Sequence, residues 1–131
     1  MTKTITKWKT GQEFTSSLGH NTVAIDGKRQ HGFGPKALLL AGLAGCSGID
    51  IVGILEKMRV EFSGLEIDVE ADQAEEHPKV YTEINITYKI KTDKSNEDKV
   101  KKAIDLSLEK YCGVSAMLRK NSPIHYKLEL L

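Results

Sequence analysis

The sequence predicts an α+β fold, and three observations predict it. One long apolar segment, Pro35–Arg59, reads as a helix. Runs of period-two alternation on both sides of it read as strands, and a capped amphipathic segment near residue 100 reads as another helix. The order is strands, long helix, strands, helices, strand, which is α+β rather than regularly alternating α/β. No internal repeat, low-complexity tract or linker divides the chain. Its 131 residues are expected to form one domain, 1–131, around one core.

Residues 3–10 (KTITKWKT) carry a weak strand pattern, and 12–18 a second one, with Leu18-Gly19-His20-Asn21 as the turn that follows. Thr22–Ile25 is a third strand, ended by Asp26-Gly27, a dipeptide suited to tight turns because both residues tolerate left-handed backbone. The three are expected to form an antiparallel meander. Residues 28–34 (KRQHGFG) form a loop that leads into the central helix.

That helix opens with Pro35 in its first turn, where a missing N–H costs nothing. About two dozen residues without another proline would span about 36 Å. Ala37, Leu38, Leu39, Leu40, Ala41, Leu43 and Ala44 leave no polar face, and a helix apolar all round is a buried one. Gly42, Gly45, Gly48 and Gly53 each cost about 1 kcal/mol of helix propensity relative to alanine. Close approach of another backbone is the usual compensation. Two modest sheets cannot cover such a helix on every side, whereas a second copy of the chain could, so a homodimer is expected. Cys46 sits in the middle of the small-residue zone.

After Arg59 the period changes to two. Val60, Phe62, Leu65, Ile67 and Val69 point one way and Glu66, Asp68 and Glu70 the other, with a bulge expected at Ser63-Gly64. Asp72–Pro78 reads as a polar connection. The clearest strand follows, with Val80, Thr82, Ile84, Ile86, Tyr88 and Ile90 on one face. Ser95-Asn96-Glu97-Asp98 fits a capping box, opening a helix whose apolar face is Val100, Ala103, Ile104, Leu108 and Tyr111. Cys112-Gly113 interrupts that pattern. Val114, Met117 and Leu118 begin a short second piece, stopped by Asn121 and Pro123, and Ile124–Leu130 closes the chain as a strand.

Nineteen basic residues balance 18 acidic ones with no run of five or six like charges, which argues against a nucleic-acid partner or an anionic membrane. No segment has 18 uninterrupted apolar residues, and MTKTITKWKT lacks the apolar core of a signal peptide, so a cytoplasmic protein is expected. In that reducing compartment Cys46 and Cys112 are expected to be free or redox-active rather than a structural staple. On its own residues, Cys46 also reads as a small buried hydrophobe. No histidine or third cysteine stands at ligand spacing, so no zinc site is expected. The four histidines, His20, His31, His77 and His125, fall in loops or on the outward phase of a strand, and only His31 is placed to line a pocket. Trp8 and Phe33 read as core or subunit contacts.

GPKALLLAGLAGCSGIDIVGILEKMR, followed after 66 residues (112 − 46) by a second cysteine within LEKYCGVSAMLRK, resembles the osmotically inducible protein C (OsmC) and organic hydroperoxide resistance (Ohr) family, most closely its OsmC-like branch. The resemblance implies the OsmC-like fold, an intertwined homodimer with antiparallel sheets around two long buried central helices. It further implies a thiol-dependent peroxidase for organic hydroperoxides, with Cys46 as the peroxidatic thiol and Cys112 as the resolving one. An external dithiol would reduce the product, and no cofactor is needed. In the family an N-terminal arginine activates the thiol, oriented by a carboxylate ten residues before the peroxidatic cysteine. Here that position is Lys36, and the first arginine is Arg29 in the loop. Arg29 or Lys36 could supply the positive charge, or Asp50, one turn after Cys46, could orient a cation. The alternative function is a non-enzymatic or weakly active dimer that binds or senses a small apolar or electrophilic ligand.

Overall fold

The computed structural model describes residues 1–131 as two compact units, Met1–Leu39 and Leu40–Leu131. The first unit is the expected meander. Strands β1 (Ile5–Thr10), β2 (Glu13–Leu18) and β3 (Asn21–Asp26) pair antiparallel in that order. Gly11 and Gly19 take positive φ, +52° and +61°, in the two connecting turns, where a side chain would be strained. The register sets Trp8 opposite Phe14 and Phe14 opposite Ile25, so an apolar row crosses all three strands. Trp8 is 66% and Phe33 49% exposed, so neither is a core residue of the protomer.

The loop after β3 is organised by one carboxylate. Asp26 is buried, and its oxygens accept hydrogen bonds from the backbone N–H of Lys28 (2.9 Å), Gln30 (3.2 Å) and His31 (3.0 Å). Those amides, together with the nearby His31 ring, hold its carboxyl below the ordinary value against the opposing effect of burial. Phe33 then returns beside the strand, donating its N–H to the Ala24 carbonyl at 3.0 Å.

In the second unit, helix α1 (Ala37–Lys57, whose first three residues belong to the first unit) precedes β4 (Phe62–Gln73) and β5 (Tyr81–Thr92). Helices α2 (Glu97–Leu106) and α3 (Gly113–Arg119) follow, then β6 (Ile124–Leu130). The sheet order is β4-β5-β6. β5 and β6 are parallel, and α2 and α3 supply the crossover that parallel neighbours require. The bulge stands at Ser63–Leu65 as expected, with Gly64 at φ +62°. Ile84, Ile86, Tyr88 and Ile90 of β5 are buried in one cluster with Leu43, Ile51 and Leu55 of α1 and Val100, Ala103 and Ile104 of α2. At Gly48 a Cβ would stand 3.1 Å from Ile67 Cδ1, so this glycine is where α1 meets the sheet most closely.

Four expectations change. Within one protomer α1 is not buried all round: its buried residues are Leu43, Ser47, Gly48, Ile51 and Leu55, while Ile49 is 77% exposed. Gly42, Gly45 and Gly53 face open space, because a three-stranded sheet covers only one side of a helix. By length and composition α1 is also apolar enough to cross a membrane, although its sheet-facing side is committed to the core. β4 runs on through Asp72, which pairs with Glu83 instead of starting the polar connection. The cap before α2 is Asp93, not Ser95: its Oδ1 accepts the Ser95 N–H at 2.9 Å and starts a 3-10 turn, Lys94–Asn96. Finally, α2 widens into a π turn over Ser107–Tyr111, with the Cys112 N–H donating to the Ser107 carbonyl at 2.7 Å. The extra residue in that turn swings Tyr111 outward to 54% exposure and turns Cys112 inward to 3%.

Replacing Asp26 should test the loop account. Its carboxyl titrates below the ordinary 3.8, so the stability it contributes is present above that pH and is lost as the pH falls through the lower folded-state value. Asp26→Ala is expected to lower the melting temperature at pH 7, with the difference from wild type shrinking as the pH is taken below 3.8. A constant difference across thermal melts from pH 7 to pH 2 would contradict the assignment.

Candidate functional site

Two sulfurs meet in the second unit. Cys46 lies near the middle of α1 and is partly exposed; Cys112 ends the π turn and is buried. They are free thiols, near enough for the Cys46 sulfur to act on the ionisation of Cys112. Local structure explains the approach of Cys112. A regular α-helix continued through residue 112 would carry it past the core, whereas the wider turn stops the helix and leaves Cys112 extended, at φ −76° and ψ 104°. There it caps α3, its Sγ accepting the Ser115 N–H at 3.3 Å.

The electrostatics of Cys112 favour the neutral thiol. Burial raises its pKa, the Ser115 contacts oppose that rise, and the neighbouring Cys46 sulfur adds to it. The turn itself is braced by side-chain hydrogen bonds to its carbonyls. Ser115 Oγ lies 3.0 Å from the Cys112 carbonyl and 3.2 Å from the Leu108 carbonyl. Arg119 Nη2 also donates to the Leu108 carbonyl and lies 3.3 Å from Ser115 Oγ.

Beside the sulfurs runs a line of buried hydroxyls. Tyr88 Oη and Ser47 Oγ are 2.7 Å apart, Ser47 Oγ and Ser107 Oγ 3.0 Å, and Ser107 Oγ and Asp50 Oδ2 3.0 Å. Burial is the main reason that the Tyr88 phenol is pushed up to about 12; the Ser47 contact opposes this, and Cys112 and Asp50 add to it. Asp50 also lines a groove of ≈ 250 Å³ with Ile49, Gly53, Ile54, Lys57 and Tyr111. Cys46, Asp50, Gly53 and Lys57 recur at spacings of three and four, so the groove follows the Cys46 side of α1.

Of the residues singled out from the sequence, the second unit therefore unites Cys46, Cys112 and Asp50. Asp50 holds a serine hydroxyl rather than a cation. Arg29 and Lys36 belong to the first unit. Arg29 takes φ 57° in the Asp26 loop and donates its N–H to the Asp26 carbonyl at 2.9 Å. His31 does line a groove, with Glu13 and Phe14 among its neighbours, and its Nδ1 is 3.6 Å from Glu13 Oε1.

Sequence reasoning passed over Ser47, Tyr88, Ser107, Ser115 and Arg119. Two of these left a signal. Tyr88 stands on the apolar phase of β5 and Ser107 on the apolar phase of α2, and a polar atom on a buried phase requires a partner. Chemically, two adjoining thiols can give up two electrons and two protons and become one disulfide.

Comparison with known proteins agrees with this fold. Residues 26–127 match the family model described as OsmC-like protein. Protein YhfA of Escherichia coli K12 is 32% identical over 127 residues, covering 95% of each chain. A crystal structure of a hypothetical protein from Aquifex aeolicus superposes with a TM-score of 0.85 at 28% identity, covering 100% of this chain and 98% of that one. The organic hydroperoxide resistance protein OhrB of Bacillus subtilis is more distant, with a TM-score of 0.65 and 21% identity over 98% of both chains.

The buried position of Cys112 has a measurable consequence. In Cys46→Ser, which leaves that burial in place, alkylation of Cys112 should still be accelerating at pH 9.0, the ordinary thiol value. A rate that levels off well below that pH, followed by mass spectrometry, would show that the anion is favoured instead.

Proposed function

From the premise that this chain belongs to the OsmC-like protein family, we propose that it reduces organic hydroperoxides through Cys46 and Cys112. The observation that carries the reading is the adjacency of two free sulfurs brought from 66 residues apart (112 − 46). Their unequal surroundings divide the work. Cys46 is the more accessible and borders the groove side of α1, as a first nucleophile must. Cys112 is buried and kept as a thiol, which suits the second step.

In that scheme the Cys46 thiolate attacks the terminal oxygen of the hydroperoxide. The O–O bond breaks, the alkoxide takes up a proton and leaves as an alcohol, and Cys46 becomes a sulfenic acid. The Cys112 sulfur then attacks the Cys46 sulfur, the S–S bond forms, and the sulfenic oxygen leaves as water with the Cys112 proton. An external dithiol returns two electrons and two protons. Arg29 or Lys36 is the proposed source of the positive charge that favours the Cys46 anion.

The reading includes a homodimer. In the second unit the open side of α1, with Ile49 exposed and Gly42, Gly45 and Gly53 unobstructed, and in the first unit the exposed Trp8 and Phe33, each offer apolar surface that a second copy would cover. A second reading, a dimer that holds a small apolar or electrophilic ligand without turning it over, is favoured by one observation. Lys36 stands where the family pattern has a carboxylate.

Substitution separates the two. Cys46→Ser should abolish consumption of cumene hydroperoxide by the dithiol-reduced protein. Cys112→Ser should allow one turnover and accumulate a sulfenic acid that dimedone traps. Peroxide loss at the wild-type rate in Cys46→Ser, or thiols that persist through peroxide treatment of the wild type, would leave the ligand-holding reading.

A further inference from the structure

The two-thiol reaction does not itself use the buried line Tyr88, Ser47, Ser107 and Asp50. Ser47 and Ser107 are fully buried and Tyr88 is 1% exposed, so none of their hydroxyls can turn to water. Ser107 Oγ is the donor to both of its oxygen neighbours at 3.0 Å, Ser47 Oγ and Asp50 Oδ2, and shares its one proton between them. Tyr88 Oη and Ser47 Oγ share a further hydrogen bond at 2.7 Å, so these oxygens form one connected line that ends on the Asp50 carboxylate.

Three members of this line, Ser47, Asp50 and Ser107, are tied to a sulfur through the backbone. Ser47 is bonded to Cys46, and Asp50 lies one helical turn further along α1. Ser107 begins the π turn, and its carbonyl accepts the Cys112 N–H at 2.7 Å, so fixing Ser107 fixes the peptide that carries the second sulfur. The hydroxyl line is therefore a strap between the two turns of chain on which the thiols stand. We propose that Asp50 and Ser107 are positioning residues that hold the Cys112 turn against the Cys46 turn and so set the ease with which the two sulfurs close into a disulfide. Tyr88 supports the strap from its far end: without it, Ser107 still bonds both Ser47 and Asp50.

The inference rests on the reading that Cys46 and Cys112 act as a pair, but it can be tested without peroxide. Purified protein is equilibrated with mixtures of reduced and oxidised glutathione. Closing the bond oxidises both thiols and reduces one glutathione disulfide to two glutathiones, and the dithiol fraction is read by alkylation and mass spectrometry. Ser107→Ala and Asp50→Asn are each expected to shift the equilibrium by about tenfold or more toward the dithiol, equivalent to about 30 mV in potential. Tyr88→Phe is expected to shift it by less than about threefold. Urea unfolding of the same variants, in the reduced state, separates positioning from general destabilisation. A purely structural role would make the disulfide shift follow the loss of stability in all three.

The proposal is overturned if Ser107→Ala and Asp50→Asn, folded by circular dichroism, stay within about twofold of wild type. It is also overturned if the shifts only track stability, or if wild type forms no intramolecular disulfide at any glutathione ratio. Should the disulfide form with the expected pattern while cumene hydroperoxide is left untouched, the peroxidase reading fails and the positioning role stands.

Discussion

A tyrosine hydroxyl in a fully apolar layer must find a partner or cost the stability of its lost hydration. Tyr88 sits in such a layer, between Ile86 and Ile90 on the inner face of β5, and its partner is a serine on α1 at 2.7 Å. That contact needs the Ser47 side of α1 to face the sheet. With Ser47 turned inward, Leu43, Ile51 and Leu55 follow onto the same face by helical spacing. Ser107 completes the arrangement from the other side of the core, bonding Ser47 and Asp50 together.

The sulfurs take their places as a result. Cys46 is one position around the helix from Ser47, so it falls at the edge of the buried face rather than in its centre and stays partly exposed. Cys112 reaches it because α2 gains a residue in its final turn. A π turn is a strained way to end a helix, and it frees the Leu108 carbonyl, which Ser115 and Arg119 then satisfy. The same turn that carries the second thiol inward carries Tyr111 outward to wall the groove beside Asp50.

The uncovered surfaces follow from the same geometry. One three-stranded sheet occupies one side of α1, and the glycines on the opposite side have nothing within 4 Å of where a Cβ would stand. Small residues on a free apolar face carry a propensity cost that no contact within the protomer offsets. The meander repeats the pattern, with an aromatic row, Trp8 to Phe14, that its own strands leave open. Both are apolar surfaces that the chain by itself leaves exposed.

Much of the fold was legible in order. Period-two alternation located β5 and its buried Ile84, Ile86, Tyr88 and Ile90, although Val80 and Thr82 on the same phase are exposed, and Ser63-Gly64 marked the bulge, because side-chain alternation and glycine backbone freedom are local properties. The two cysteine segments, as motifs, pointed to the family and to the sulfurs. Four things needed the assembled structure: the cap at Asp93, the π turn, the inward Cys112 and the Tyr88–Ser47–Ser107–Asp50 line. Asp93 and Ser95 are both acceptable caps in isolation, and the loop closing against Thr92 selects between them. The π turn has no sequence signature of its own; it exists because Ser107, 60 residues from Ser47, is held by a hydrogen bond that only folding creates. Sequence by itself determined the elements and the residues able to do redox chemistry, since both are written in spacing and side-chain type. Which face of α1 is buried, which thiol is shielded and what Asp50 holds were decided by tertiary structure, because each depends on hydrogen bonds between residues distant in the chain.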